Sequence, residues 1–569
     1  MKFNQRILFS LLFCFLISSF LFSQKTIEEI KRDIITNLKP ATNEDGNYNI
    51  IFITVDQQRY FREYPYGTNF RAREFLEEVG TTFENHYACA NMSTSSRSVI
   101  YTGTHICDTK MIDNTDYPWQ DALSEEIITV GDRLREAGFY TAYKGKYHMG
   151  EEGIFTDHSK PEMQKNNDLE PHGFSDWNLM GDLAGGNYEG YSDDSYVVGD
   201  AIRWLHSTGA SLNNDGKSFF LAVNLVNPHD IMYFNTDKKG ENVQWNENLS
   251  LEINRAPENK IYSNTYNDTG IPISWNEPID APGRVQAHME YYLLWNRRVG
   301  TIPSEEERWE RFRDYYYNCL QDSDNHLLNF LEELYNIGIY ENTIIIFTSD
   351  HGEMMGAHGL RGKGGFMYDY NIHVPLIIYH PEYAGENRIE KLTSHFDMTT
   401  TFIDMTNISD ERKDEISEGL AGNSILELIN GEKEEIREGA LFCFEMISML
   451  DSGMKGKVNE KGEIIEMKID FSKRGFVRGL ITERYKFARY FSPFNFNMPE
   501  TFDELFENND VELFDLENDP DEMINLAAEP EKYKELILEL NNMLNEVIKR
   551  EIGNDSGQTF NEVYESWNF

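Results

Sequence analysis

The chain has 569 residues, enough for a large hydrophobic core and too many for one small domain. Its 97 acidic side chains outnumber 52 basic ones, which gives a formal net charge of -45 and a sequence pI near 4.6. Such a surface repels nucleic acids and anionic membranes, so neither is expected as a partner. It also repels small anions at long range, so an anionic substrate would need a local cluster of cations inside a cleft.

The N-terminus, residues 1–23, has the pattern of a secretory signal peptide. Lys2 and Arg6 precede an apolar run that ends at Phe22, and a small residue follows. This layout predicts cleavage and export, to a periplasm or out of the cell, with an uncleaved N-terminal anchor as the alternative. No second apolar run is long enough to span a membrane, so no membrane contact is expected after cleavage.

Continuous apolar and β-branched runs predict strands that are buried on both faces of a parallel sheet. The runs, and the polar residues that end them, are 49–55 before Asp56, 140–143 before Lys144 to His148, 218–225 before His229, and 343–349 before Asp350 and His351. Helical patterns lie between them, at 128–137 and 312–335. The alternation predicts an α/β domain with a large, mostly parallel sheet flanked by helices. Ligands bind beyond the carboxyl ends of such strands, so this edge is the predicted site.

Residues 231–300 differ from this pattern. They are rich in Asn, Asp and Pro and predict a long insertion on the active-site face, where specificity usually resides. The cysteines that would remain after signal cleavage have no CxxC spacing, so neither a zinc site nor a disulfide framework is predicted. We interpret them as core residues: Cys89, Cys107, Cys319 and Cys443.

The C-terminal part predicts a smaller antiparallel sheet with a helix. Short apolar runs occur at 475–481, 485–490 and 512–516, and a helical pattern follows at 529–549. The resulting division of the chain is a signal peptide at 1–23, a catalytic domain at 24–460 and a C-terminal α+β subdomain at 461–569.

A small nucleophile stands four residues before an arginine in the run Ser93-Thr94-Ser95-Ser96-Arg97, which continues to Thr102-Gly103. This run resembles the signature of the sulfatase family, within the alkaline phosphatase superfamily. In that signature Cys or Ser stands first, Pro third and Arg fifth. The family oxidises the first residue to formylglycine, whose hydrated aldehyde attacks sulfate esters. Ser93 holds that place here, and Ser95 replaces the usual proline.

Further segments are similar to sulfatase motifs and follow one another in the family's order. They are Asn49 to Gln57, Gly145-Lys146-Tyr147-His148-Met149-Gly150, Pro228-His229, Ser349 to Glu353 with the later Gly362-Lys363-Gly364, and Glu512 to Pro520. The resemblance implies the sulfatase-like fold, with its large sheet and smaller C-terminal sheet. It also implies one divalent metal held by Asp56, Gln57, Asp350 and His351.

The chemistry of the side chains agrees with such a metal. Transfer of a sulfuryl or phosphoryl group requires a hard cation that neutralises the equatorial oxygens. Asp56 and Asp350 are suitable oxygen ligands, and the Gln57 carboxamide is a possible ligand without charge. His351 shifts the preference towards manganese or zinc, yet Ca²⁺ remains the first expectation and Mn²⁺ the alternative.

The remaining candidates are assigned catalytic roles around Ser93. Arg97 would hold the nucleophile and the metal ligands, and Lys146 and Lys363 would bind ester oxygens. His148 would orient the nucleophile or take its proton, and His229 would protonate the leaving oxygen. A helix predicted from about residue 96 to 101 would place Ser93 just before a helix N-terminus, which favours negative charge. Other acidic residues are interpreted as surface or helix-capping groups: Asp113, Asp116, Asp322 and Asp324.

The leading interpretation is an exported sulfuric ester hydrolase that acts on a small-molecule or saccharide sulfate ester, with a formylglycine-generating enzyme as a maturation partner. An unmodified Ser93 would instead suit a phosphodiester or phosphonate monoester hydrolase, or a sulfuryl transferase, because a serine sulfate cannot collapse to an aldehyde. The third alternative is a non-catalytic, glycan-binding pseudoenzyme. The complete set of charged residues argues against it, since unpaired buried charge is costly to retain.

Overall fold

The computed structural model describes residues 25–150, 169–177, 182–183, 185–459, 464–495, 497–553, 555 and 567–568. The predicted signal peptide at 1–23 lies outside these residues. None of the helices in the described ranges combines the length and apolar character needed to cross a bilayer.

A seven-stranded mixed sheet forms the centre of the fold. Its strands are β1 (Asn49–Asp56), β2 (Thr81–Tyr87), β3 (Tyr140–Gly145), β4 (Phe219–Pro228), β5 (Thr343–Ser349), β6 (Leu376–Tyr379) and β7 (Asn387–Ser394). They lie in the order β3-β4-β1-β5-β6-β2-β7. Only β6 runs antiparallel to its neighbours, β5 and β2, so the predicted mostly parallel sheet is confirmed.

Both faces of this sheet are covered, since alternate side chains of β1 are buried on opposite sides of it. Ile51 and Ile53 of β1 belong to one hydrophobic cluster, and Ile50 and Phe52 belong to the other. The α-helices of the described ranges are Ile27–Thr36, Arg71–Val79, Ser93–Thr102, Ile106–Thr109, Val130–Glu136, Glu189–Trp204, Ala210–Asn214, Gln286–Val299, Glu306–Asn336, Asp369–Ile372, Met398–Asp404, Asp410–Ile416, Leu426–Ile429, Phe502–Asn508 and Lys534–Glu551.

The C-terminal part contains the predicted antiparallel sheet. Its strands are β8 (Ala440–Phe444), β9 (Lys455–Val458), β10 (Ile464–Lys468), β11 (Phe476–Ile481), β12 (Tyr485–Phe491), β13 (Asp510–Asp515) and β14 (Trp567–Asn568). A four-stranded sheet has the order β13-β12-β11-β8, and a three-stranded one has the order β14-β10-β9. Ile537 and Leu544 of the helix Lys534–Glu551 pack against the larger of these two sheets. Since β8 pairs with β11, this sheet begins before residue 460, where the sequence placed the boundary.

The four-stranded C-terminal sheet is attached directly to the segment that precedes Ser93. Cys443 of β8 forms a bridge with Ala90, and its amide N–H donates to the Cys89 carbonyl at 2.8 Å. All four cysteines of the described ranges are free and buried, as the core interpretation predicted.

The interpretation of the acidic residues as surface groups is wrong for Asp113 and Asp322. Asp113 is fully buried and accepts hydrogen bonds from Ser448, and Asp322 is buried and accepts one from the Tyr262 hydroxyl. Asp324 is buried as well, but it does cap a helix, because it accepts the backbone N–H groups at the start of Arg71–Val79. Hydrogen-bond partners that are far away in the sequence compensate the burial of these carboxylates.

Candidate active site

The carboxyl ends of four parallel strands deliver the predicted site residues to one edge of the sheet. Asp56 is the last residue of β1, Asp350 follows β5, His229 follows β4 and Lys146 follows β3. These strands are neighbours in the order β3-β4-β1-β5, so their ends lie side by side. All four side chains are at most 4% exposed.

The nucleophile segment is a helix that begins at Ser93 itself rather than near residue 96. Met92 precedes the helix with φ 73°, and Gly103 ends it in the left-handed conformation with φ 67°. A Cβ at Gly103 would lie 2.9 Å from the Thr399 Cβ, so only glycine fits there. Ser93 is therefore the first helical residue, in the turn whose free N–H groups favour negative charge.

Three side chains converge on the Ser93 hydroxyl. Lys363 Nζ donates to Ser93 Oγ at 2.9 Å, and Ser93 Oγ donates to Asp56 Oδ2 at 3.1 Å. His351 Nε2 lies 3.2 Å from the same oxygen and 2.8 Å from Lys363 Nζ. The nucleophile position is thus in direct contact with a cation, a carboxylate and an imidazole.

Arg97 binds the carboxylates around Ser93, and no hydrogen bond joins it to Ser93 itself within the described residues. Its Nε donates to Asp350 Oδ2 at 3.1 Å, and its Nη2 lies 3.4 Å from Asp56 Oδ2. Its Nη1 donates to the Lys146 carbonyl at 2.9 Å and to Asn224 Oδ1 at 3.3 Å. Sequence reasoning missed Asn224, although a lone amide in the apolar run at 218–225 was a possible signal.

Opposite charges are packed closely in this cluster. Lys146 Nζ lies 2.7 Å from Asp56 Oδ2, and Lys363 Nζ lies 3.5 Å from Asp56 Oδ1. Burial raises the pKa of Asp56, but these two lysines outweigh burial and hold that pKa well below its usual value. Burial and the nearby Asp56 charge raise the pKa of Asp350 to about 6, and burial lowers the pKa of Lys363 to about 8.

Neither His148 nor His229 forms a hydrogen bond with Ser93 within the described residues. His148 Nε2 lies 3.5 Å from Asp116 Oδ2, so Asp116 faces the site and is not a surface group. The His148 backbone N–H donates to Asp182 at 2.7 Å, a partner that sequence reasoning missed. Burial and the charges of nearby lysines lower the pKa of His229 well below its usual value, so its imidazole is neutral.

The cluster also fits a divalent metal. Asp56, Asp350 and His351 each offer a ligand atom, and these atoms all lie within 4.8 Å of one another. Asp56 Oδ1 and Gln57 Oε1 are buried and accept no hydrogen bond within the described residues. Two carboxylates, an imidazole and a carboxamide are ligands that a divalent cation accepts.

Glu353 supports this donor set and was not singled out from the sequence. The Gln57 amide N–H donates to Glu353, which leaves Gln57 Oε1 as the end that is available to a cation. Glu353 Oε1 also accepts the Gly362 N–H at 2.7 Å. This hydrogen bond connects the segment that follows β5 to the loop of Lys363. The signal was its place directly after the Asp350-His351-Gly352 motif.

Comparisons with known proteins agree with this geometry. The sulfatase family model matches residues 48–408. Arylsulfatase K of Gallus gallus is 23% identical over 508 residues, which cover 87% of this chain and 80% of that protein. Delta 4,5-hexuronate-2-O-sulfatase of Bacteroides thetaiotaomicron is 24% identical over 84% of this chain and 83% of its own.

The solved phosphonate monoester hydrolase of Agrobacterium radiobacter shares the fold, with a TM-score of 0.58 and 19% identity over 89% of this chain and 96% of that one. The match to the family model includes every predicted catalytic and metal-binding residue and more than half of the chain. The chain belongs to the sulfatase family.

Proposed function

We propose that this sulfatase hydrolyses a sulfate ester carried by a saccharide, with residue 93 as the nucleophile. The observation that carries the proposal is the convergence of Lys363, Asp56 and His351 on the Ser93 oxygen, at 2.9, 3.1 and 3.2 Å. A saccharide substrate is supported by the similarity to a hexuronate sulfatase. The signal-peptide pattern supports export, where such substrates are met.

The residues around position 93 suit the activation of a nucleophile. An attacking hydroxyl must lose a proton, and Asp56 Oδ2 and His351 Nε2 are the acceptors within reach. Lys363 and the helix N-terminus then stabilise the negative oxygen. A divalent cation bound by Asp56, Gln57, Asp350 and His351, Ca²⁺ before Mn²⁺, would neutralise charge on the sulfate oxygens.

The leaving group requires an acid, and we assign this role to His229. A Cβ at Gly185 would lie 2.6 Å from His229 Cε1 and 2.7 Å from Lys146 Nζ, so both groups flank the same residue. The neutral His229 of the free protein lacks the second ring proton that makes an imidazolium an effective acid. A bound anionic ester would raise the pKa of His229 by offsetting the lysine charges, which is the direction that an acid requires. His148, beside Asp116, is proposed to orient the nucleophile.

Formylglycine is the proposed state of residue 93 in the mature protein. Its hydrate can expel sulfate by collapsing to the aldehyde, whereas a sulfated serine has no such exit. A maturation enzyme would have to accept Ser95 at the third position of the motif. The test is mass spectrometry of protein from its native export route: the peptide spanning residue 93 should lack two hydrogens and react with a hydrazide probe. An active enzyme whose residue 93 is unmodified serine would reject formylglycine.

A second candidate is hydrolysis of a phosphodiester or phosphonate monoester by unmodified Ser93, or sulfuryl transfer. It is favoured by Ser95 in place of the usual proline and by a serine hydroxyl that already contacts Lys363 and Asp56. Parallel assays with an aryl sulfate, an aryl phosphodiester and an aryl phosphonate, with and without an acceptor alcohol, separate the candidates. We expect the sulfate to be hydrolysed fastest. Turnover that disappears in Ser93→Ala would also dismiss a non-catalytic, glycan-binding role.

A further inference from the structure

A cavity lies between the end of the 231–300 insertion and the loop that leads to Lys363. Its volume is about 250 Å³, and its walls include Trp275, Tyr292, Trp295, Trp309 and Arg361. This volume is close to the lower limit of small-ligand pockets, about 300 Å³, so the cavity suits a single ring. The long insertion therefore contributes a shaped wall beside the active-site loop.

Aromatic side chains form much of the cavity wall. Trp275 and Tyr292 are half-buried, whereas Trp295 and Trp309 are buried. Flat rings of this kind pack against the apolar C–H face of a sugar ring and carry polar groups at their edges. Trp295, one of the wall residues, has a buried Nε1 without a hydrogen-bond partner among the described residues.

Arg361 is a buried cation without a counter-ion. It is 5% exposed, and its Nη2 donates to two neutral oxygens, Asn296 Oδ1 at 3.4 Å and the Gly300 carbonyl. Its Nη1 makes no hydrogen bond, and no carboxylate in the described ranges forms an ion pair with it. Burial lowers the pKa of Arg361 to about 10, and the charge of Glu353, which is outside ion-pair distance, offsets only part of this shift.

The acid in the cavity wall does not compensate Arg361. Glu277 Oε2 lies 2.7 Å from His358 Nδ1 and 3.4 Å from Arg284 Nη2, so its charge is already paired. Buried charges in proteins are normally paired, since an unpaired one is costly. An unpaired guanidinium in the wall of a cavity is therefore suited to an anionic ligand.

We propose that this cavity binds one anionic sugar residue, bearing a carboxylate or a sulfate, of the saccharide that is hydrolysed at residue 93. Arg361 Nη1 pairs with the anion, Trp295 Nε1 donates to a sugar oxygen, and Trp275 packs on the ring. Arg361 is two residues from Lys363, so their Cα atoms are at most about 7 Å apart. The proposal requires a saccharide of more than one unit, which reaches both places. The link to residue 93 rests on the proposed function, whereas binding in the cavity does not.

The test is isothermal titration calorimetry on the full chain carrying Ser93→Ala, with glucuronate, glucose 6-sulfate and glucose as probes. We expect at least one anionic sugar to bind about tenfold more tightly than glucose, because charge-assisted hydrogen bonds are the strong ones. The two anionic probes distinguish a carboxylate from a sulfate as the preferred group. Equal affinity for all three sugars, or no binding, would overturn the proposal.

Two variants of residues in the cavity wall test whether the sugar binds in the cavity. Arg361→Gln and Trp275→Ala should each weaken the preferred sugar about tenfold or more, and Trp275→Ala covers the case in which the buried arginine variant does not fold. Trp245→Ala, at an exposed tryptophan outside the cavity wall, is the matched control. Binding that survives both cavity variants but is lost in Lys146→Met belongs to the active site and contradicts the proposal.

Turnover separates this proposal from the proposed function. Aryl sulfate hydrolysis by the protein with its native residue 93 needs no cavity, since an aryl sulfate has no second sugar. Loss of that hydrolysis with retained binding of the anionic sugar would reject the function and support the cavity site. Hydrolysis without such binding would reject the cavity site alone.

Discussion

Two buried clusters of charge in this molecule both contain Arg, Asp and His side chains and differ in how completely their carboxylates are paired. The catalytic cluster surrounds Ser93 at the edge of the large sheet. It consists of Asp56, Gln57, Arg97, Lys146, Asp350, His351 and Lys363. The junction cluster consists of Arg437, Asp397, Glu551 and His105, between the large sheet and the C-terminal helix Lys534–Glu551. Both clusters are buried, so both had to compensate for the loss of water.

The carboxylates of the junction cluster are fully paired. Asp397 accepts hydrogen bonds from both Nε and Nη2 of Arg437 and from two backbone N–H groups, so both of its oxygens are used. Glu551 Oε1 accepts from Arg437 Nη1 at 3.2 Å, and its Oε2 lies 3.0 Å from His105 Nε2. Nothing about these carboxylates calls for a ligand, and their role is to join parts of the fold.

The catalytic cluster leaves acceptors unused. Asp56 Oδ1 and Gln57 Oε1 accept no hydrogen bond in the described part of the chain, although both residues are fully buried. Arg361 shows the same property with the opposite sign, because its buried Nη1 has no acceptor in the described residues. Burial alone therefore does not distinguish the two clusters, whereas the unused carboxylate and carboxamide oxygens beside Ser93 do.

The largest expected effect is that of Asp56→Asn, which removes the carboxylate that Lys146, Lys363 and Arg97 share. Turnover should fall by roughly 100-fold to 1,000-fold or more, because the nucleophile loses its proton acceptor and the cations lose their counter-charge. Steady-state kinetics on an aryl sulfate measure the loss. Asp503→Asn, at an exposed helix-start aspartate, is the control that should leave turnover unchanged. Near-normal turnover of Asp56→Asn would place the chemistry elsewhere.

The junction cluster should respond in stability and not in chemistry. Arg437→Gln leaves Asp397 and Glu551 without their main partner, so we expect unfolding free energy to fall by about 3–5 kcal/mol. Urea unfolding measures this change, and kcat at a temperature where the variant is folded should match the wild type. Arg412→Gln, at a surface ion pair, should cost at most about 1 kcal/mol. A drop in kcat of the folded Arg437→Gln protein would show that the junction cluster also contributes to catalysis.

Removal of the proposed metal should destabilise the catalytic cluster. Ca²⁺ at 100 times its Kd stabilises a protein that binds it only when folded by about 2.7 kcal/mol, so chelation should lower Tm and abolish turnover together. Differential scanning calorimetry with and without chelator follows the first effect, and added Ca²⁺ should restore both. Full activity of the chelated protein would show that catalysis does not need the proposed metal.

The smallest effect concerns pH at the junction. Burial lowers the pKa of His105, but Cys443 and Glu551 outweigh burial and raise it to about 9, while His105 and Arg437 lower the pKa of Glu551 to about 2. Because its pKa is raised on folding, protonated His105 stabilises the folded protein. This contribution is complete below about pH 6.5 and is lost as pH rises through about 9. Because its pKa is lowered on folding, ionised Glu551 also stabilises the folded protein. This contribution is complete above about pH 4.5 and is lost as pH falls through about 2.

His105→Gln should therefore lower Tm more at about pH 6 than at about pH 9.5, where the wild-type histidine has lost its extra proton. Thermal melts of both proteins at the two pH values measure the difference. An equal Tm loss at both values would show that His105 acts through packing and not through charge.

The sequence was sufficient for the elements whose pattern is local. The apolar runs that end at Asp56 and Asp350 predicted β1 and β5 because a strand buried on both faces needs continuous apolar residues. The start of the Ser93 helix was predicted too late, since its first turn is Ser-rich and its entry depends on the positive φ of Met92. Neither property gives a helical periodicity.

Contacts between distant segments could not be read from the pattern. The pair Arg437–Asp397 and the contact of Gln57 with Glu353 depend on how strands and loops meet in three dimensions. The same holds for the unpaired Arg361, which is recognised only when every possible partner has been located. The side chains of His148 and His229 were assigned by resemblance, and their roles remain predictions.

The most direct test of the central claim is calorimetric titration of the demetallated protein with Ca²⁺. We expect the wild type and Arg437→Gln to bind one equivalent, Gln57→Ala to bind it more weakly, and Asp350→Asn to bind none that is detectable. This order follows because Asp350 supplies charge, Gln57 supplies only an unused oxygen, and Arg437 belongs to the fully paired cluster. Undiminished binding by Asp350→Asn would contradict the claim that the unused acceptors beside Ser93 mark a metal site.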